Sequence, residues 1–582
     1  MRKIYLHLCL LLTIGVSSQD YISPFDFQLY LSGTFGELRD NHFHAGIDVK
    51  TNTQEGKKLK AISDGYISRI KVSTWGYGKV LYIAHPQTGH TSVYAHMQRF
   101  NKKIENIIKE QQYKNESFEI NFYPKKNSIL IKQGEIIGLS GNSGGSGGPH
   151  LHFEIRDTKT QNPLNPLAFG FKVLDNIEPV LTEIKIYCHK NSSINQRNED
   201  LRIPLKKIQN GKYSINDSKI NVNGDISFSI STFDRQNGAP NNKNGVYSIK
   251  MYVDDKLIHY FEVDEINFDE TRFINSHIDF SEYTDDNIRF NRCFTLPYNR
   301  LSNYKVNINK GILNFSDNKL YKIRFEVRDI ENNLSTLEFD IQSEETSPKF
   351  YSENDKKLVE YDEAHKLEIE ELTCYLPSYA LYKDEYFKAK STPKNKKTLS
   401  KVYHLMDKNI ALHKEIAISI KENIPNNLKE KSYIALIREN GNFKYKGKTW
   451  KDGYLHAKTT EFGQFTIACD TTNPKIFDYT YNKISEKSGI VSVKISDDES
   501  GISFYRGEIN GKWILMDYDY KTNLLKYEID NEKIVKGEQN LKIVVMDKLN
   551  NKTVLNKKFI YEKVIGFKLH PEKCIFQSSS PS

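Results

Sequence analysis

The sequence contains no Cys-x-x-Cys pair, no His-Glu-x-x-His segment and, beyond its first twenty residues, no uninterrupted apolar run approaching 18 residues. The first absence excludes a compact thiolate metal site. The second excludes a metal site built on one thermolysin-type helix. The third excludes an ordinary membrane-spanning helix in the body of the chain. Cysteine is scarce, with six in 582 residues. Apart from Cys9 these are Cys188, Cys293, Cys374, Cys469 and Cys574. In an exported chain Cys188 can pair with Cys293 and Cys374 with Cys469, leaving Cys574 free, and buried thiols fit the spacing equally well. Clustered charge is also missing. The formal net charge is +9, or +7 without Arg2 and Lys3. It is spread along the chain, which implies mild attraction to anionic surfaces such as cell wall or lipid head groups and no nucleic-acid partner.

A chain of this length exceeds one hydrophobic core and implies about three to five domains. Thirty-five Tyr and 31 Phe, many in alternating runs, point to a mainly β protein. Arg2 and Lys3 precede an apolar run from Ile4 to Val16 and then Ser17 and Ser18. This pattern predicts a signal peptide over residues 1–18, with cleavage before Gln19 and export to the periplasm or envelope or into the medium. Leu6, His7 and Leu8 before Cys9 do not form the small-residue site of a lipoprotein.

Histidine is where the chain is rich. Of 16 in all, His42, His44, His85, His90, His96, His150 and His152 crowd into little more than a hundred residues. The focal stretch is 138–156, GLSGNSGGSGGPHLHFEIR, in which a glycine-rich loop runs into alternating His150, His152 and Glu154 with Leu151, Phe153 and Ile155. Alternation is the strand period, so both imidazoles share one face about 6.6 Å apart while the apolar set packs behind. His44 and Asp48 are four apart in a segment whose Gly46, Ile47 and Val49 disfavour helix. Extended, they would lie about 13 Å apart, so both reach one ion only if the backbone bends at Ala45 and Gly46. His96 ends a strand two residues after Tyr94, which suggests that the two side chains point the same way. Tyr94 is expected to line the groove or belong to the core, His42 to flank the groove, and His85 and His90, around a Pro-Gln-Thr-Gly turn, to be solvated. Residues 102–113 break the β pattern, because Ile104, Ile107 and Ile108 follow helical spacing.

Three blocks in order, HAGID at 44–48, YAHM at 94–97 and GPHLHFE at 148–154, resemble the LytM/lysostaphin-type zinc metallopeptidases, which are peptidoglycan endopeptidases. Ala61, Asp64-Gly65, Gly76-Tyr77-Gly78, Gln133-Gly134, Gly138 and Gly141 match the same pattern. The resemblance covers about 150 residues, and the helical insertion near 101–128 departs from it. It implies one zinc ion held by His44, Asp48 and His152, with His96 and His150 handling protons and a peptide of the wall as substrate. The chemistry agrees: three protein ligands leave a position for water, whose pKa zinc lowers toward about 7, and an imidazole near 6.5 exchanges protons at neutral pH. A catalytically silent relative that binds wall or activates an amidase is the competing implication, and an adhesion scaffold is a third.

The remaining four hundred residues carry a repeat. EPVLTEIKIY at 178 resembles NPKIFDYTY at 473, GVYSIKMYVDDK at 245 resembles GISFYRGEINGK at 501, and VRDIENN at 327 resembles VMDKLNN at 545. The offsets shrink from 295 (179 against 474) to 256 (245 against 501) to 218 (329 against 547), so the first copy holds two insertions of about 40 residues. Short alternating segments and Asp-x-x-Asn-Asn turns suggest immunoglobulin-like β-sandwiches. The expected organisation is a peptidase domain at 19–174, such a sandwich at 175–345, another β-sandwich at 346–471, an immunoglobulin-like one at 472–565 and a tail at 566–582. Envelope proteins are possible partners of these sandwiches. His404, His413 and His456 have no carboxylate or thiol at ligand spacing and are expected to be ordinary residues.

Overall fold

The computed structural model describes residues 21–216, 219–345, 357–485, 488–529, 534 and 536–561. The leader, Cys9, the start of the expected 346–471 sandwich, Cys574 and the tail lie outside these. The protein is mainly β, with an N-terminal module followed by several β-sheet domains. Among the described residues no helix is long and apolar enough to cross a membrane.

The N-terminal module is organised on one antiparallel sheet in the order Leu31–Gly33, Ile47–Lys50, His150–Asp157, His90–Ala95, Lys79–His85, Gly65–Val72 and Ile120–Phe122. One face buries Ile47, Val49, Leu151, Phe153, Ile155, Leu81, Ile83, Ile67 and Ile70. Register follows from this packing, since a one-residue slip would turn every apolar side chain of the 150–157 strand to the other face. The helix spans Lys102–Asn115, opened by Asn101, whose side chain accepts from the Ile104 amide at 3.0 Å, and it buries Ile104 and Ile108 in the same core.

That core does not end with the module. Phe261, Val263, Ile266, Phe273, Ile274, Ile278, Tyr298 and Leu301 belong to it, and all lie beyond residue 175. They come from the end of the Lys256–Glu262 strand and the segment between it and the Tyr304–Asn307 strand, within one of the insertions seen in the repeat comparison. This segment packs under the chain leading to His44. Phe43 lies 6.2 Å from Phe261 between ring centroids, and its amide donates to Thr271 Oγ1 at 3.0 Å.

Among the described residues three large cores follow, one in residues 181–341, one in 359–467 and one in 491–561, with a small cluster of Tyr433, Ala435, Ala468 and Leu549 joining the last two. The 17-residue strand Ile220–Gln236 pairs antiparallel with Val180–Cys188 and parallel with Leu334–Ser343, joining the two layers of the second domain. The third is two five-stranded sheets, and the last two four-stranded ones. Cys188, Cys293, Cys374 and Cys469 are free, so neither disulfide allowed by the spacing is formed. Cys293 and Cys374 are instead buried apolar side chains in separate cores.

The last module folds back on the first. Lys79 Nζ donates to Asp517 Oδ2 at 2.8 Å, Trp75 and Tyr520 lie 3.7 Å apart between ring centroids, Tyr113 meets Trp513 edge-on, and Arg506 pairs with Glu116 at 2.7 Å.

Truncating Phe261 to Ala removes an aromatic side chain from the core shared by the first two domains. The expected loss is about 3–5 kcal/mol of unfolding free energy, read by urea denaturation, together with weaker metal retention because His44 loses its backing. An unchanged midpoint would show that the two domains are energetically independent.

Candidate metal centre

The 47–50 strand pairs with 150–157 so that Asp48 stands directly opposite His152, and on the other edge His152 stands opposite Ala95. The bend required between His44 and Asp48 occurs at Gly46, where a Cβ would lie 2.4 Å from the Phe153 carbonyl oxygen, a close approach that only glycine permits. It swings His44 back over the sheet. His44 Nε2, Asp48 Oδ1 and His152 Nδ1 then meet at 3.1 Å (His44 to Asp48), 3.0 Å (His44 to His152) and 2.9 Å (His152 to Asp48).

These donors fit zinc. Tetrahedral ligands at ordinary zinc bond lengths lie about 3.3 Å apart, close to what the side chains already adopt. Each imidazole has its other nitrogen tied. His44 Nδ1 is 2.7 Å from the Thr34 carbonyl and His152 Nε2 is 2.8 Å from Glu154 Oε1, which directs the lone pairs of His44 Nε2 and His152 Nδ1 inward. Asp48 Oδ2 accepts from Arg39 Nη2 at 3.0 Å, leaving Oδ1 as the inward oxygen. Glu154 is fully buried and accepts from Tyr77 Oη and from Arg156 Nε. His150, His152, Glu154 and Arg156 thus line one strand face, with His152 in the metal-type cluster, Glu154 as its carboxylate partner and Arg156 as that partner's counter-ion.

Burial opposes charge on all of these groups, and their neighbours outweigh it. Hydrogen bonds to Asp48 and Glu154 raise His152 to about 9, Arg156 and His152 lower Glu154 to about 2, and His44, His150 and His152 hold Asp48 well below the usual carboxylate range. In the metal-free chain His152 therefore carries a proton at neutral pH.

His96 and His150 stand beside the cluster with ring centroids 4.9 Å apart. His150 Nε2 is 3.4 Å from Asp48 Oδ1, and its Nδ1 is 2.8 Å from the Gly148 carbonyl. His96 Nδ1 is 2.8 Å from the Ser143 carbonyl. The glycine-rich loop holding both carbonyls is seated on the 76–78 turn, where Gly78 and Gly144, both at positive φ, approach too closely for any Cβ. On its outer side Lys521 of the last module donates to the Asn142 carbonyl, one residue from Ser143.

Several expectations change. His96 does not extend its strand: at φ 57° it turns left-handed, so Tyr94 and His96 part company. Tyr94 is fully buried, its hydroxyl accepting from the Ile62 amide at 3.0 Å. A pKa near 6.5 does not hold for His96, because burial and the charges of His152 and His150 push it down to about 3. His85 is not solvated. It is 1% exposed, wedged between the Asp64 carbonyl and Ser92 Oγ, because its side chain falls on the core side of the hairpin. His90 is half-buried against Tyr21 Oη at 2.8 Å. His42 is exposed and bonded to the Asp40 carbonyl, apart from the cluster. His413 stacks on Phe273 and His456 bonds Ser419 Oγ, and among the described residues neither belongs to a metal-type cluster, nor does His404. Sequence reasoning gave no role to Thr34, Arg39, Tyr77, Glu154 or Arg156. Only the alternation of Glu154 and Arg156 with the apolar residues signalled the last two.

Residues 42–113 and 122–166, which carry the His-x-x-x-Asp bend and the His-x-His strand, match the family described as Peptidase family M23, so the N-terminal module is an M23-type domain. Residues 356–470 match a Zu5-like domain. Among individual proteins, the chain is 29% identical over 146 residues to the DD-carboxypeptidase/endopeptidase Mpg of Neisseria meningitidis serogroup B, covering 25% of this chain and 26% of that protein. It is 30% identical over 111 residues to the glycyl-glycine endopeptidase ALE-1 of Staphylococcus capitis, covering 19% and 24%. The catalytic domain of lysostaphin from Staphylococcus simulans is a solved structure with 25% identity, covering 23% of this chain and 87% of that one with a TM-score of 0.18. The chain thus covers about a quarter of the length of these two curated relatives.

Two outcomes follow for metal binding. Glu154→Gln is expected to weaken zinc affinity about 10–100-fold, measured by competition with a chromogenic chelator, whereas loss of His44, Asp48 or His152 abolishes stoichiometric binding. Because zinc must displace the proton on His152, affinity falls as pH drops and rises toward pH 9. Between pH 6 and 8 the apparent Kd is expected to drop about tenfold per unit with one proton released, which calorimetry in buffers of different ionisation enthalpy measures. A flat profile would contradict the assignment of that proton.

Proposed function

We propose that the protein is an exported, zinc-dependent endopeptidase that hydrolyses peptide cross-links of bacterial peptidoglycan. The observation that carries this reading is the meeting of His44 Nε2, Asp48 Oδ1 and His152 Nδ1 within 3.1 Å, flanked by two further imidazoles. Zinc, when bound to such a set, supplies a Lewis acid and makes a water molecule nucleophilic near neutral pH. The chain's own residues do the rest. His96 and His150 each set Nδ1 against a backbone carbonyl at 2.8 Å, so Nε2 is the nitrogen of each ring that can pass a proton between water and the departing amine, with burial disfavouring the charged form of His96. Glu154 keeps His152 oriented, and Arg39 keeps Asp48 turned inward.

The names of the relatives point to two kinds of bond, a D,D-linkage and a glycyl-glycine bridge. We take the D-alanyl to diaminopimelyl bond as the substrate. A silent regulator of an amidase would be expected to lack a ligand or a proton-handling histidine, and all five positions are filled here.

The test is digestion of purified sacculi of each cross-link type by the zinc-loaded chain, with fragments identified by mass. Cross-linked dimers of diaminopimelate-type wall are expected to be resolved to monomers. His150→Ala is expected to retain zinc and lose turnover by about 10²–10⁴-fold. Intact sacculi of both types, with zinc demonstrably bound, would sink the enzymatic reading.

A further inference from the structure

Two clusters of aspartates lie away from the zinc cleft, one at the entry to each of the repeated modules. Asp175, Asp234 and Asp329 bring carboxylate oxygens within 4.8 Å of one another, and Asp470, Asp497 and Asp547 do the same. The clusters are equivalent in the repeat. Val180 pairs with Phe233 and Lys475 pairs with Ser496, and Asp234 and Asp497 are the next residues in the two modules. Asp329 and Asp547 each open an Asp-x-x-Asn-Asn turn with the same bonds. Asn333 donates its amide and side chain to Asp329 at 2.9 and 2.7 Å, and Asn551 does so to Asp547 at 2.8 and 2.6 Å. The same asparagine also reaches the backbone carbonyl of the linker aspartate, Asp175 at 3.4 Å and Asp470 at 2.9 Å. In each copy the three acids therefore join a linker, a strand end and a turn.

Acids gathered in this way are not in themselves a site, and what points to a ligand is the set of buried polar atoms around them that have no partner. Gln236, 2% exposed, sets its side chain against Asp175, and its Oε1 has no hydrogen-bond partner. Asp234, also 2% exposed, leaves Oδ1 unpartnered, as Asp175 leaves Oδ2. Asn244, opposite Asp234 in the ladder and likewise buried, leaves both amide atoms unpartnered. In the second copy Ser500 is 3% exposed with an unpartnered Oγ, and its amide donates to Asp470 Oδ2 at 3.1 Å. The charges that bear most on Asp234 are those of Asp175 and Asp329, both repulsive. Carboxylates gathered this closely repel one another, most strongly in the first copy, where Asp234 and Asp329 are buried, while in the second Lys548 bears on Asp497. A cation among them would remove that penalty and satisfy the open oxygens together.

We propose that both clusters are divalent-cation sites and that the cation is calcium. The donors are carboxylate, amide and hydroxyl oxygens with no imidazole or thiolate among them, the set preferred by a hard cation that takes six to eight oxygens in flexible geometry. Since Asp175 leaves the peptidase module and Asp470 leaves the Zu5-like region, calcium fixes the angle at which each repeated module departs from its predecessor.

The experiment is titration of calcium chloride into the full zinc-loaded chain by calorimetry, with magnesium chloride as the control. Two calcium ions per chain are expected, falling to one in Asp234→Asn, one in Asp497→Asn and none in the double variant, with zinc content unchanged throughout. Magnesium is expected to bind at least tenfold more weakly. The wild-type chain should also unfold at a higher temperature in calcium, a readout that needs no variant. Absence of both heat and thermal shift at millimolar calcium in the wild type overturns the proposal, as does a double variant that still takes up two ions.

Discussion

The pairing of the 150–157 strand between the 47–50 and 90–95 strands is the constraint on which the rest of the N-terminal module depends. It is set by burial of Leu151, Phe153 and Ile155 on one face, and the strand period then gives the opposite face to His150, His152, Glu154 and Arg156. Asp48 arrives across from His152 as a consequence of that register. The same face stacks a charge sequence into the interior, Asp48, His152, Glu154 and Arg156, in which each group is the counter-charge of the next. A buried charge cluster of this kind tolerates burial because none of its charges is left alone.

The second domain is structurally part of this arrangement. Its segment around Phe261 and Phe273 completes the core under Phe43, so the backbone that delivers His44 rests on residues more than two hundred positions away. The last domain reaches the other side of the cleft through Lys79–Asp517, Trp75–Tyr520 and Lys521 on the glycine-rich loop. The β-sheet domains thus brace both the ligand side and the loop side of the site. The paired aspartate clusters sit where two of these domains join their predecessors, where stiffness would be transmitted to that bracing.

Much was legible in the residues alone. The mainly β class followed from alternating aromatic and β-branched runs, the family of the N-terminal module from three short histidine blocks in order, and the need for a bend at Gly46 from the mismatch between four extended residues and one ion. These readings succeed because strand period, bond lengths and ligand geometry are local properties. The readings that failed depended on the path of the backbone. Tyr94 and His96 share a face only while the strand continues, and a left-handed residue at His96 ends it. His85 looked like a turn-flanking surface residue until the hairpin turned its ring inward to Asp64 and Ser92.

The chain's composition and spacing by themselves determined which residues have metal-ligand chemistry, which faces are apolar and where the repeat lies, because each of these is written in identity and period. Tertiary structure alone decided that Thr34, Tyr77, Glu154 and Arg156 surround the His44–Asp48–His152 cluster, that the described cysteines stay apart, that the second domain finishes the first domain's core and that aspartates far apart in sequence converge twice. Those outcomes depend on which surfaces meet when layers pack, a property of the folded whole that no local pattern encodes.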